Sequence, residues 1–229
     1  MTRFRDVCLG VALCAVASYA AIGQEYKIEP LKTAPPAETV PAIRAVLNAT
    51  GYRVVDGDGK PFAEIWMRTA TPANGPPSGP QGAVGFPILS EGEVLGIVRY
   101  PGEGRDYRDQ AIAQGLYTMR YGLQPVNGDH LGVSVFRDYV LLLQAAKDKD
   151  LGKLEQKTLR ERSAEAAGSS HPAVLLMVAP PASSAPPALV HDEEKNTWTA
   201  VLPLSLAVKG VAAPATLTIG VVIVGAAMN

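Results

Sequence analysis

The chain has 229 residues, 47% of them hydrophobic, with 21 basic side chains against 22 acidic ones. The resulting formal charge of −1 excludes the strongly basic surface that nucleic-acid binding needs. Two cysteines, Cys8 and Cys14, are too few for a disulfide scaffold.

Residues 1–23 read as a secretory signal peptide. Arg3 and Arg5 precede the uncharged run Val7–Ile22, which ends in small residues, the order of a charged, an apolar and a cleavage region. Cleavage falls between Ala20 and Gly23. The site after Gly23 consumes the whole apolar run and leaves Gln24 at the new terminus. The run is shorter than the ~20 apolar residues of a membrane anchor, and Leu13 before Cys14 is not the small residue that bacterial lipidation wants. Residues 24–229 then form a single exported domain without cysteine. Loss of two arginines and one aspartate with residues 1–23 takes the formal charge from −1 to −2.

Along that domain, Gln24–Pro41 is an extended lead-in and Ala42–Ala49 a short helix. Tyr52–Asp56 and Phe62–Arg68 flank the turn cluster Asp56-Gly57-Asp58-Gly59-Lys60, which predicts a β-hairpin. Residues 71–87 carry five prolines and four glycines and read as a long loop. Val94–Tyr100 is a strand. In Leu116–Leu123, Tyr117, Met119, Tyr121 and Leu123 alternate with Thr118 and Arg120, the pattern of a half-buried strand. Phe136–Leu143 is richer in aliphatic residues and reads as a central strand. Leu151–Ala167 is the one long helix, with Asp150 as N-cap and Gly168 as its stop. Ala173–Ala179 is a buried strand and 180–188 a second Pro-rich loop. From Trp198 to Val208, Ala200, Leu202, Leu204 and Leu206 share one face, and Pro203 marks an edge or a bulge. Val211–Met228 holds no charge, yet Thr216 and Thr218 alternate with Leu217 and Ile219, so Ala215–Val224 reads as a strand and not a span. The expected fold is all-β, a mostly antiparallel sandwich with one surface helix near 151–167; a closed barrel is the competitor.

Val54-Val55-Asp56-Gly57-Asp58-Gly59-Lys60-Pro61 is similar to the opening hairpin of transthyretin-like and carboxypeptidase-regulatory-like β-sandwiches of exported bacterial proteins, which implies an accessory module. Gly115–Tyr121, Gly128–Gly132 and Arg137–Leu142 together resemble a group of exported bacterial proteins of unknown function, which implies no activity.

No G-x-S-x-G, P-loop, complete G-x-G-x-x-G or H-E-x-x-H occurs in the sequence. Asp56 and Asp58 have the spacing of a calcium loop, but Lys60 and Pro61 stand where further ligands belong. Asp148, Asp150, Glu155, Glu161 and Glu165 read as capping and solubilising groups. Interleaved Arg, Tyr and Asp make a carbohydrate-type surface, because aromatic faces stack on sugar rings while guanidinium and carboxylate bond hydroxyls. The densest such stretch nominates Arg99, Tyr100, Tyr107, Arg120, Asp129, His130 and Arg137 as a binding face. Against it stands the reading in which the tyrosines are core and the charges form ordinary surface pairs. A metal-assisted hydrolase using His130 and His171, with Asp138 as a third ligand, is the rival from another class. A structural role through edge pairing of the last strand is the third. The expected protein is thus an exported, non-enzymatic binding or accessory module of the bacterial envelope. It needs no cofactor and has no integral membrane span, and its partner is an unidentified ligand or envelope protein.

Overall fold

The computed structural model describes residues 25–126, 134–149 and 151–225. The signal-peptide reading, Asp129, His130 and the Asp150 cap lie outside these residues. Thirteen strands and two helices are present among them. The first half holds β1 (Tyr26–Leu31), the four-residue α1 (Pro41–Arg44), β2 (Gly51–Asp56), β3 (Pro61–Met67), β4 (Thr71–Ala73) and β5 (Val94–Tyr100). The second half holds β6 (Gly104–Arg105), β7 (Ala111–Ile112), β8 (Gly115–Leu123), β9 (Asp138–Gln144), α2 (Gln156–Ala167), β10 (Val174–Val178), β11 (Ala188–Asp192), β12 (Thr197–Val208) and β13 (Ala215–Val224).

The β2–β3 turn forms where the Asp-Gly cluster predicts it. The Asp56 carboxylate accepts the backbone N–H groups of Asp58 at 3.0 Å and Lys60 at 2.9 Å, the local bonding that favours aspartate in turns. β2, β3, β5, β8 and β9 follow as antiparallel neighbours. β10 then hands the sheet over: Val174–Leu176 pair with β9, whereas Met177 and Val178 pair with β13. A strand shared between two sets of partners makes a corner, so the sheet curls into a half-barrel ordered β1-β2-β3-β5-β8-β9-β10-β13-β12-β11.

The all-β class is as expected, but the sheet is mixed. β4 pairs in parallel with the end of β12, Leu206–Val208. The physical reason is the route of the chain: after β3 it crosses to the far side of the core, runs beside β12, and returns to β5. The long Pro/Gly loop is therefore tied down. Phe86 from it, with Ile88 and Leu89 just after it, is buried in the main core.

Inside the curl, the apolar faces of both halves meet. Tyr117, Met119 and Tyr121 of β8 share one core with Ala200, Leu202, Leu204 and Leu206 of β12, the alternation read from each strand. Two smaller apolar clusters lie on the outside. One puts Leu31, Ile43, Leu47, Trp66, Val94 and Ile97 beneath the α1 segment; the other puts Tyr139, Leu141, Leu143 and Leu176 beneath Leu159 of α2. α2 starts at Gln156, later than the sequence predicts, after Glu155, which makes no side-chain cap bond. It stops as expected at Gly168, whose φ is 63°. Leu151, read as helical, instead packs against the α1-side cluster. Within the segment 180–188 and the charged residues after it, the structure adds β11, unforeseen in the sequence.

Candidate functional site

One end of the curled sheet gathers aromatic side chains from distant parts of the chain. Tyr26 opens β1, Phe62 sits at the start of β3 and Trp198 at the start of β12. β1 and β11 are the two ends of the strand order and do not pair with each other. Tyr26 and Trp198 bridge that seam, with ring centroids 5.7 Å apart at 66°. Tyr26 also meets Phe62 edge-on at 5.4 Å, Phe62 meets Tyr100 at 5.9 Å, and Tyr100 meets Tyr117 at 6.2 Å. On the other side His191 stacks on Trp198 at 4.2 Å with planes 10° apart. His191 is thus an exposed strand residue with an aromatic partner. A bulge between Trp198 and Thr199 shifts the register against β13 and sets Trp198 opposite Val224.

Beside these rings lies a cleft of about 310 Å³, lined by Tyr26, Phe62, Trp198, Glu103, Arg105 and Asn196, with Val224 and Gly225 at its edge. Its size is at the small end of ligand pockets, roughly 300 Å³ and upward. Trp198 and Phe62 are half-buried, whereas Glu103, Arg105 and Asn196 are exposed. The Arg105 guanidinium pairs with Asp109 at 2.9 Å and Glu103 at 3.3 Å, so acid and base stand together at the rim. Burial, and then the charge of Asp56, raises the Tyr26 phenol above its usual range and keeps it a neutral hydroxyl. The cleft thus combines aromatic surface with a carboxylate, a guanidinium and a carboxamide, a set able to stack on a ring and bond its hydroxyls.

The five described residues of the nominated binding face, Arg99, Tyr100, Tyr107, Arg120 and Arg137, are dispersed by the fold. Arg99 lies on the outer sheet face and, with Arg53, brackets the buried carboxylate of Glu64; Arg53 reaches it at 2.8 Å. Glu29, Arg53, Glu64 and Arg99 stand opposite one another on four adjacent strands, an alternating-charge row with a cross-strand structural role. Tyr100 is fully buried, and its hydroxyl has no hydrogen-bond partner among the described residues. Arg99 and Tyr100 do border a common cleft with Pro36, Glu38 and Leu116. Tyr107 is buried beneath α2. Arg120 is fully buried on the face opposite Tyr121; its guanidinium donates to both Asp148 oxygens at 2.7 and 2.8 Å and to the carbonyls of Gly92 and Gly152. Arg137 is half-buried and donates to the Gln124 carbonyl at 2.6 Å.

Of the residues considered for metal binding, His171 is exposed. Asp138 is buried and accepts the N–H groups of Gly85 at 2.6 Å and Phe86 at 3.0 Å and the Tyr121 hydroxyl at 2.6 Å. Its oxygens hold the long loop in place. No three His, Asp or Glu side chains gather into a metal-binding group among the described residues. The last strand, named as a pairing edge, lies between β10 and β12.

Sequence reasoning ranked residues by density along the chain and so missed Tyr26, Phe62, Trp198, Glu103 and Arg105. The available signal was positional: each of the three aromatics falls within the first two residues of its strand, at the rim and not at mid-core. Comparison with family models, curated proteins and solved structures found no match for this chain.

Proposed function

We propose that this is an exported, non-enzymatic binding protein whose ligand is a carbohydrate held in the cleft between Tyr26, Phe62, Trp198, Glu103 and Arg105. The observation that carries the reading is the convergence of three aromatic rings from separate strands on a cleft bordered by an acid, a base and a carboxamide. Aromatic faces favour the C–H surfaces of sugar rings, and charged donors and acceptors pair with vicinal hydroxyls. The composition of residues 1–23 supports export. The fold-over of the sheet at β10 serves as a sandwich-like scaffold that presents the cleft at one end.

Tryptophan fluorescence tests this directly. Only Trp66 and Trp198 are present, and Trp66 is buried with its indole N–H donating to the Thr33 carbonyl at 2.9 Å. Saturable spectral change on titration with soluble oligosaccharides therefore reports Trp198. The expected result is a shift for a subset of a neutral-glycan panel, abolished in Trp198→Ala. A panel without any saturable change, or binding that survives Trp198→Ala and Phe62→Ala, sinks the reading.

A further inference from the structure

A second cleft, of about 410 Å³, lies between α2 and the turn that follows β9, bordered by Gln144, Lys147, Asp148, Lys149, Arg162 and Glu165. Its charges do not cancel. Lys147 pairs with Glu165 at 3.4 Å, and the Asp148 carboxylate is turned inward to Arg120 and to the Thr118 hydroxyl at 2.5 Å. Lys149 and the half-buried Arg162 remain without an ion-pair or hydrogen-bond partner among the described residues. A half-buried guanidinium left without an acceptor is uncommon, since partial desolvation weakens its hydration without replacing it. The turn bearing both lysines is also fixed before any ligand arrives. The N–H groups of Lys147 and Asp148 both donate to the Gln144 carbonyl, and buried Asp148 anchors the turn to β8 through Arg120 and Thr118.

We infer that this cleft is an oxyanion site, taking a phosphate group between Arg162 and Lys149 with Lys147 and the Gln144 amide at its border. Arginine offers a planar pair of donors that matches two phosphate oxygens, and lysine adds a point charge from the opposite wall. The site is separate from the aromatic cleft and stands or falls independently of it.

Inorganic phosphate is the probe. Calorimetric titration and thermal melts of the 24–229 chain are run against sodium phosphate and against sodium chloride of equal ionic strength, with glycerol phosphate in parallel. Binding to the native state raises stability in a saturable way. The expected result is saturable phosphate binding over the chloride control, weakened about tenfold or more in Arg162→Gln, as loss of a charge-assisted bond implies. Lys149→Gln weakens it too, and because Lys149 is exposed that variant keeps the fold. Trp198→Ala binds phosphate as the parent does. Tighter binding of glycerol phosphate than of the free ion assigns the site to an esterified group, and the reverse order to the free oxyanion. Chloride-like behaviour of phosphate, or unchanged affinity in both Gln variants, overturns the inference.

Discussion

Replacing Arg120 with Met is expected to be among the most destabilising single changes in the chain. Arg120 is fully buried and Asp148 nearly so, with side-chain exposures of 0% and 1%. The Met side chain fills much of the arginine stem but leaves Asp148 with the Thr118 hydroxyl as its remaining donor among the contacts described. Breaking a buried pair from one side costs about 3–5 kcal/mol, because an uncompensated charge stays behind. The carbonyls of Gly92 and Gly152 also lose their guanidinium donor, at roughly 1 kcal/mol each. The expected loss of about 5–7 kcal/mol is a large share of the roughly 5–15 kcal/mol that holds a domain together. Urea unfolding followed by far-ultraviolet circular dichroism measures it, with the slope against urea unchanged if only stability moves. The double variant Arg120→Met, Asp148→Leu removes the stranded charge and is expected to recover at least half of the loss, since apolar replacements of buried pairs are often neutral. Were Arg120→Met to lie within 1 kcal/mol of the parent, or the double variant to be no more stable than the single, the reasoning would be refuted.

Asp138→Ala strips the acceptor from the buried Gly85 and Phe86 amides and is expected to cost about 2–5 kcal/mol; limited proteolysis should then cut within residues 74–93 faster than in the parent. Gly92 has φ +81°, and a Cβ there would meet the Leu154 carbonyl oxygen at 2.4 Å, so Gly92→Ala should cost about 2–4 kcal/mol in the same urea assay. Burial pushes the Tyr139 phenol up to about 12 from 10.0 and raises Tyr100 and Tyr121 as well. Since the folded-state pKa is the higher one, this stabilising contribution is intact below pH 10 and is lost as the pH climbs from 10 through 12. Spectrophotometric titration should therefore show a group of tyrosines ionising only together with unfolding. Normal titration of Tyr100, Tyr121 and Tyr139 in the folded protein would contradict the burial.

The strands with a clean two-residue period are legible in the sequence alone. In β8 and β12 the alternation alone tells which side chains face the core, because a strand turns each successive side chain to the opposite face. The Asp56–Lys60 turn was legible for a local reason too, since its bonds run from Asp56 to residues two and four positions on. What the sequence could not yield depends on pairings between distant residues. β11 has little apolar alternation and exists because β12 supplies its hydrogen bonds, and β4 exists because its crossing loop meets the free edge of β12. Arg120 reads as a surface cation by its place opposite Tyr121, yet Asp148 and the Gly152 carbonyl meet its guanidinium and make it a buried anchor.

The candidate sites divide in the same way. The residue types for sugar binding were apparent in composition, but the cleft joins side chains from β1, β3, β6 and β12, far apart along the chain. Linear density instead selected residues that the fold places on opposite faces of the sheet. By itself the sequence determined the all-β class, the core-facing alternation and the places of eight of the thirteen described strands, since these follow from short-range steric and hydrophobic periodicity. Only the tertiary structure decided which strand ends meet across the seam and which charges are left without partners. Those follow from the curl at β10 and from burial against segments that no local pattern identifies.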